Sequence, residues 1–182
     1  MKPIVPLKTE HGFIDQMIKL ARDETLRIAT KDEFNPAFID MLVDFLRTYA
    51  DATHHGKEED ILFRDLKDKD LLAEDRRLMD ELVQEHIEAR EMVGEVVDAK
   101  ELVLEGDREA IETLVRKLAG LIELYPEHIS KEDDVFFPAS MAYFTASEQR
   151  AMLEEMHEAD RQMIHQKYQS VVARLRDERM GI

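Results

Sequence analysis

Residues 54–63 read HHGKEEDILF, and residues 124–137 read LYPEHISKEDDVFF. In the first phrase His55 and Glu59 stand four residues apart; in the second, so do His128 and Glu132. On an α-helix a separation of four is one turn and about 40° of rotation, so each pair projects toward one region of space. The phrases stay in step beyond the pairs. His55-Gly-Lys-Glu-Glu59-Asp-Ile-Leu-Phe63 is echoed by His128-Ile-Ser-Lys-Glu132-Asp-Asp-Val-Phe136, 73 residues on. Glu10-His11 is echoed by Glu85-His86, 75 residues on. Helices one and two therefore read as a duplicate of helices three and four. A duplicated helical hairpin places two equivalent half-sites about a pseudo-twofold axis.

Apolar periodicity around these phrases predicts the helices. Residues 1–8 hold two prolines and read as an extended lead-in. Thr9 is placed to cap a helix whose face carries His11, Ile14, Ile18 and Ala21. Asn35-Pro36 starts a second helix, with proline in its first turn. Its seam runs Phe38, Leu42, Phe45, Tyr49, Ala52, His55, Glu59, Leu62. After a charged turn within 67–75, a third helix presents Leu78, Leu82, His86, Ala89, Val93 and Val96, and Gly106-Asp107 ends it. A fourth carries Ile111, Leu114, Leu118, Leu121, Tyr125, His128, Glu132 and Val135, with Pro126 expected to kink it and Pro138 to end or bend it. Thr145-Ala-Ser-Glu148 has the form of a capping box and opens a fifth helix. The expected fold is all-α: an up-down four-helix bundle over 9–138 with a C-terminal helix over 146–178, forming one domain across residues 1–182.

Composition narrows the chemistry. There is no cysteine among the 182 residues, which excludes disulfides, thiolate zinc sites and iron–sulfur clusters built on this chain. Scarce glycine and proline favour helices. The formal charge of −16 makes duplex nucleic acid and anionic membranes poor partners, and in the simplest reading it hydrates the surface. Met1 to Lys8 do not read as a signal peptide, and no stretch approaches the ~20 apolar residues of a membrane span. The expected location is the cytoplasm.

Six polar residues, His11, His55, Glu59, His86, His128 and Glu132, lie on apolar seams. Buried without partners they are costly, and metal ions resolve the conflict. Imidazole with carboxylate suits iron, manganese or zinc. Zinc commonly closes four ligands around one ion, whereas six residues in two symmetric sets fit two ions better.

The order His, His-x-x-x-Glu, His, His-x-x-x-Glu on successive helices resembles the hemerythrin and hemerythrin-like (HHE) cation-binding family over about residues 9–138. DRQMIHQKY at 160–168 is similar to a prokaryotic branch of it. The resemblance implies two iron ions, carboxylate- and oxo- or hydroxo-bridged. His11 and His55 would ligate one, His86 and His128 the other, and Glu59 and Glu132 would bridge. It implies a protein that binds or senses oxygen, nitric oxide or iron status, with a small diatomic ligand or peroxide as partner, as a monomer or homodimer. A di-iron oxidoreductase that detoxifies peroxide or nitric oxide is the alternative, so whether the chain is an enzyme stays open. A mononuclear or structural zinc bundle is a further one. The chain departs from the oxygen carriers at Arg90, where they have a fifth histidine. Arginine stays protonated and cannot ligate. One iron therefore lacks a protein ligand, or another residue supplies it.

The neighbouring residues carry weaker signals. His54, Glu58, Asp60 and Asp133 are expected to face solvent. Asp160 lies amid the apolar face of the fifth helix and is expected either to pair with a buried base such as Arg90 or to reach solvent. His157 lies near the edge of that face. Its wheel turns His165 away, although the family-like phrase contains His165 and Tyr168. The ten methionines read as adaptable core filling. Ile14, Phe45, Tyr49, Leu82 and Leu121 are expected to line the site.

Overall fold

The computed structural model describes the backbone of residues 2–31 and 34–180, with side chains through residue 163 and Lys167. Five long helices account for nearly all of it, with no strand among the described residues. Helix α1 is Ile4–Lys31. Helix α2 is composite: α-helical over Pro36–Phe45, π-helical over Leu46–His55, π-helical again over Glu58–Phe63, then α-helical over Arg64–Lys67. Helix α3 is Ala73–Leu104. Helix α4 is α-helical over Ala110–Lys131, π-helical over Glu132–Phe136 and α-helical over Phe137–Ser140. A short 3₁₀ turn, Met141–Tyr143, leads to α5, Ala146–Met180.

Local chemistry sets the helix ends. The Asn35 side chain accepts from the Phe38 amide at 3.2 Å, with Pro36 in the first turn. Gly106 closes α3 with φ +98°, a conformation that penalises any side chain. Thr145 and Glu148 form the reciprocal capping box: the Thr145 amide donates to the Glu148 carboxylate at 2.7 Å and the Glu148 amide to the Thr145 hydroxyl at 3.3 Å. The extended lead-in expected over residues 1–8 is not observed, because α1 starts at Ile4. Pro6 is tolerated there, since first-turn amides have no intrahelical acceptor. Pro126 lies inside α4, which continues through it.

The four main helices close a ring, α1 against α4, α4 against α3, and α2 against both α3 and α1, while α5 lies along the π-helical part of α2. Two apolar clusters fill the interior. One gathers Ile14, Ile18, Leu42, Leu46, Ala89, Leu114 and Tyr125. The other gathers Leu7, Leu62, Phe63, Leu82, Phe136, Phe137 and Met156. Each main helix passes from one cluster to the other through its histidine: His11 between Leu7 and Ile14, His86 between Leu82 and Ala89, His54 and His55 between Ala50 and Leu62, His128 between Tyr125 and Phe136. The polar layer is thus a slab between two apolar caps.

The π-helical turns decide what enters that slab. Along α2 the buried row is Leu42, Leu46, Ala50, His54, Glu58 and Leu62, a step of four each time. In an α-helix each such step drifts by about 40°, so five of them would carry the row to the far side. Widened i→i+5 turns keep it on one face. The expected seam and the observed row share Leu42 and Leu62 and part between them: Leu46 and Ala50 are buried in place of Phe45 and Tyr49, one residue later, and Glu58 in place of Glu59, one residue earlier. In α4 the same widening buries Phe136 and leaves Val135, placed on the seam by α-periodicity, 55% exposed.

Candidate metal centre

Five histidine rings and two carboxylates meet in the slab, all of them buried: His11, His54, His55, His86, His128, Glu58 and Glu132. Donor atoms of His11, His54, Glu58 and Glu132 lie within 4.8 Å of one another, and so do those of His55, Glu58, His86 and His128. Glu58 belongs to both groups. Its Oε1 is 3.3 Å from His54 Nε2 and its Oε2 is 3.5 Å from His86 Nε2. Glu132 divides in the same way, Oε2 lying 3.1 Å from His11 Nε2 and Oε1 3.3 Å from His128 Nε2. Both carboxylates therefore span the two groups with one oxygen each.

The histidines are aimed from outside. His54 Nδ1 donates to Glu10 at 2.9 Å, His11 Nδ1 to Asp133 at 3.0 Å, His86 Nδ1 to Glu59 at 2.8 Å and His128 Nδ1 to Glu85 at 2.8 Å. A carboxylate only accepts, so each of these rings carries a proton on Nδ1 and turns Nε2 inward. His55 Nδ1 faces Asp51 at 3.5 Å, and its ring stacks on His86 at 3.8 Å between centroids. Lys57 pairs with Glu10, and Lys131 with Glu85. The pairs His54/His128, Lys57/Lys131, Glu58/Glu132 and Glu59/Asp133 are each 74 residues apart. The duplication thus extends to the residues that hold the ligands, in a register one residue away from that read in the sequence.

His11, His55, His86, His128 and Glu132 all lie in the slab, but His55 stands with His86 and His128 rather than with His11, the partner given it in the sequence reading. Glu59 does not lie there. It is 27% exposed and accepts from His86 Nδ1 and from Arg90 at 2.6 Å, so its place is outside the cluster. The place between the two groups expected of Glu59 is taken by Glu58, which is fully buried rather than solvent-facing. His54, also expected in solvent, is 1% exposed. Asp133 is partly buried against His11 rather than free in solvent. Arg90 turns outward to Asp51 and Glu59, and its expected pairing with Asp160 is absent. Asp160 binds Lys57 instead, at 2.6 Å. His54, added to the four histidines expected, brings the count to five. His157 is exposed, and the His165 and Tyr168 side chains lie outside the described residues. Of the expected lining, Ile14, Leu82 and Leu121 are buried, while Phe45 and Tyr49 pack at the margin of the apolar cluster.

Burial sets the charges of the cluster against one another. Burial, and then neighbouring imidazoles, push His54 and His55 well below the ordinary histidine range. Burial also lowers His86. Burial opposes a charge on His128 too, but Glu132 and Glu85 outweigh it and raise the pKa to about 9. Burial, reinforced by Glu132, pushes Glu58 well above the carboxylate range. Burial acts on Glu132 in the same sense, yet His128 and His11 hold it well below that range. Among the described residues, eight buried side-chain N or O atoms lack a hydrogen-bond partner. Seven of them are here: both oxygens of Glu58 and of Glu132, Nε2 of His11 and His54, and Nδ1 of His55. An unsatisfied buried polar atom costs about 1–3 kcal/mol, and so many facing one slab mark a ligand set. Imidazole and carboxylate are the donors that first-row divalent ions accept.

The family model described as hemerythrin HHE cation binding domain matches residues 2–140. The chain belongs to this family. Comparison with curated proteins and with solved structures gives no match. The hemerythrin-like chain is a metal-binding helical bundle whose matched segment takes in all seven buried donors and ends before α5. Among its described residues no helix is long and apolar enough to cross a membrane.

Proposed function

We propose that the slab binds a pair of iron ions, one held by His11 and His54 and the other by His55, His86 and His128, with Glu58 and Glu132 bridging. The observation that carries this reading is the split of each carboxylate between two histidine groups, since a single ion would leave two oxygens and part of the imidazole set unused. Bound there, a bridged iron pair supplies redox and ligand-binding chemistry toward small oxygen and nitrogen species. The protein's own part is to orient the imidazoles through Glu10, Glu59, Glu85, Asp51 and Asp133, and to exclude bulk water with the apolar caps. A cavity of about 100 Å³ reaches His55, lined by Leu46, Arg47, Arg90, Val93 and Tyr125 among others. Its size admits a diatomic molecule or peroxide. We assign the protein to the binding or sensing of oxygen, nitric oxide or iron status, in the cytoplasm. Turnover of peroxide or nitric oxide by the same centre is the second reading, and the guanidinium N–H groups of Arg47 and Arg90 in the cavity lining favour it, because they can donate hydrogen bonds to peroxide.

Metal analysis with an optical spectrum tests the assignment. Two irons per chain with the absorption of a bridged ferric pair is the expected result. One zinc per chain would overturn it. Oxygen evolution from added peroxide separates the second reading from the first.

A further inference from the structure

Both halves of the slab are backed by the same chain of groups. On one side His128 Nδ1 meets Glu85, Glu85 meets Lys131, and Lys131 meets Glu81 at 2.6 Å. On the other His54 Nδ1 meets Glu10, Glu10 meets Lys57, and Lys57 meets Asp160 at 2.6 Å. The outer acids have different origins. Glu81 stands one turn before Glu85 on the same helix; one turn before Glu10 stands Pro6, which has no carboxylate to offer. The missing acid comes instead from α5, outside the residues matched to the family and outside the duplicated hairpins.

The two lysines also differ in surroundings. Lys131 is 31% exposed, so water can replace its outer acid. Lys57 is 1% exposed, so its charge depends on the two carboxylates that touch it. Its ammonium needs both to be compensated in the interior. When only one is present, Lys57 draws more strongly on Glu10, and Glu10 then holds the His54 ring less firmly.

We propose that Asp160 is a positioning residue for the His11–His54 half of the centre, acting through Lys57 and Glu10, so that docking of α5 sets how tightly that half holds its ion. The inference rests on the two-ion reading above. It makes the chain's C-terminal helix part of one half-site and leaves the other half independent of it.

The test is an anaerobic Co(II) titration of the full chain against a chromophoric competitor, which resolves two dissociation constants in the wild type. Loss of an outer partner of a ligating histidine costs about 10–100-fold in metal affinity, and Asp160 acts one contact further out, so Asp160→Asn is expected to weaken one constant about tenfold. The other constant stays within twofold. Asp160→Glu restores the first. Glu81→Gln moves the second constant only, by less. Arg64→Ala removes another tie of α5 to α2, the two-pronged pair with Glu155 at 2.7 and 2.9 Å, and serves as a control for loosening of the helix. Equal weakening by Arg64→Ala and Asp160→Asn would assign the effect to docking in general and overturn the residue-specific claim. So would two unchanged constants in Asp160→Asn, movement of one and the same constant by Asp160→Asn and Glu81→Gln, or failure of Asp160→Glu to restore. If Asp160→Asn does not fold, Asp160→Ser, which also removes the carboxylate, is read in its place by the same criteria. A wild type that binds fewer than two Co(II) ions would instead overturn the two-ion reading.

Discussion

Replacing Glu58 with glutamine separates what this side chain does with metal from what it does without. With two dications bound, two carboxylates leave two uncompensated positive charges on protein and metal; glutamine leaves three. It also removes an anionic donor shared by both positions. Loss of an outer contact already weakens metal by about 10–100-fold, and loss of a shared donor exceeds that, so loading should fall from two ions per chain to at most one. Chelator-treated protein should show the opposite sign in stability. Burial and Glu132 raise Glu58 well above its ordinary 4.5 in the folded state. Stability from a group whose folded pKa is raised is complete below the unfolded value and is lost as pH climbs toward the folded one. The loss is up to about 1.4 kcal/mol per pH unit over that window. Glutamine matches the protonated acid in shape and does not ionise. Urea unfolding of chelator-treated E58Q should therefore exceed wild type in stability at pH 6.5, by at most about 3 kcal/mol two units above the unfolded value, with the difference shrinking toward pH 4.5. Glu59→Gln is the matched control: two ions should still bind, with affinity lowered about 10–100-fold through His86. E58Q that keeps two ions at wild-type affinity, or a chelator-treated E58Q less stable than wild type at pH 6.5, would refute the placement of Glu58.

Metal loading should release protons, chiefly from Glu58 and from His128, whose pKa is held up at about 9; calorimetry in buffers of different ionisation enthalpy at pH 7 measures the number, and affinity should rise with pH between 6 and 8. Lys57→Met should cost about 3–5 kcal/mol in chemical unfolding because it strands Glu10 against the interior, whereas Lys131→Met, at a partly exposed position, should cost about 1 kcal/mol or less. Gly106→Ala should lower stability by about 1 kcal/mol because the turn after α3 needs φ +98°, and thermal melts of the metal-loaded protein should show a corresponding drop in Tm.

Much of this was legible in the sequence, and what was not has one main cause. The caps at Asn35-Pro36 and Thr145–Glu148, the stop at Gly106 and the faces of α1 and α3 follow from local chemistry and a 3.6-residue period. The face of α2 does not. HHGKEE contains two overlapping His-x-x-x-Glu pairs, His54–Glu58 and His55–Glu59, and an α-helical wheel selects the second because it continues the seam through Tyr49 and Ala52. Widened turns select the first and also bring His55 inside. Two sequence signals favour the observed register: the row of fours from Leu42 to Leu62, and the match of Lys57 to Lys131 at the 74-residue spacing. The early start of α1 was obscured by Pro3 and Pro6, which are compatible with a first helical turn. The Asp160–Lys57 contact depends on how α5 lies across α2, which periodicity along either helix does not specify.

The widened turns of α2 have a consequence for which changes in chain length the protein can accept. A π turn accommodates a surplus residue, so the centre depends on the phase of α2 rather than on its length. Loss of one residue between Arg47 and Thr53 would let the turn relax to α geometry while Leu46 and His54 still face inward. The same loss between His54 and Glu58 would swing the carboxylate about 100° away from its imidazole. The stretch before the ligands is therefore register slack, and the four-residue interval between them is fixed.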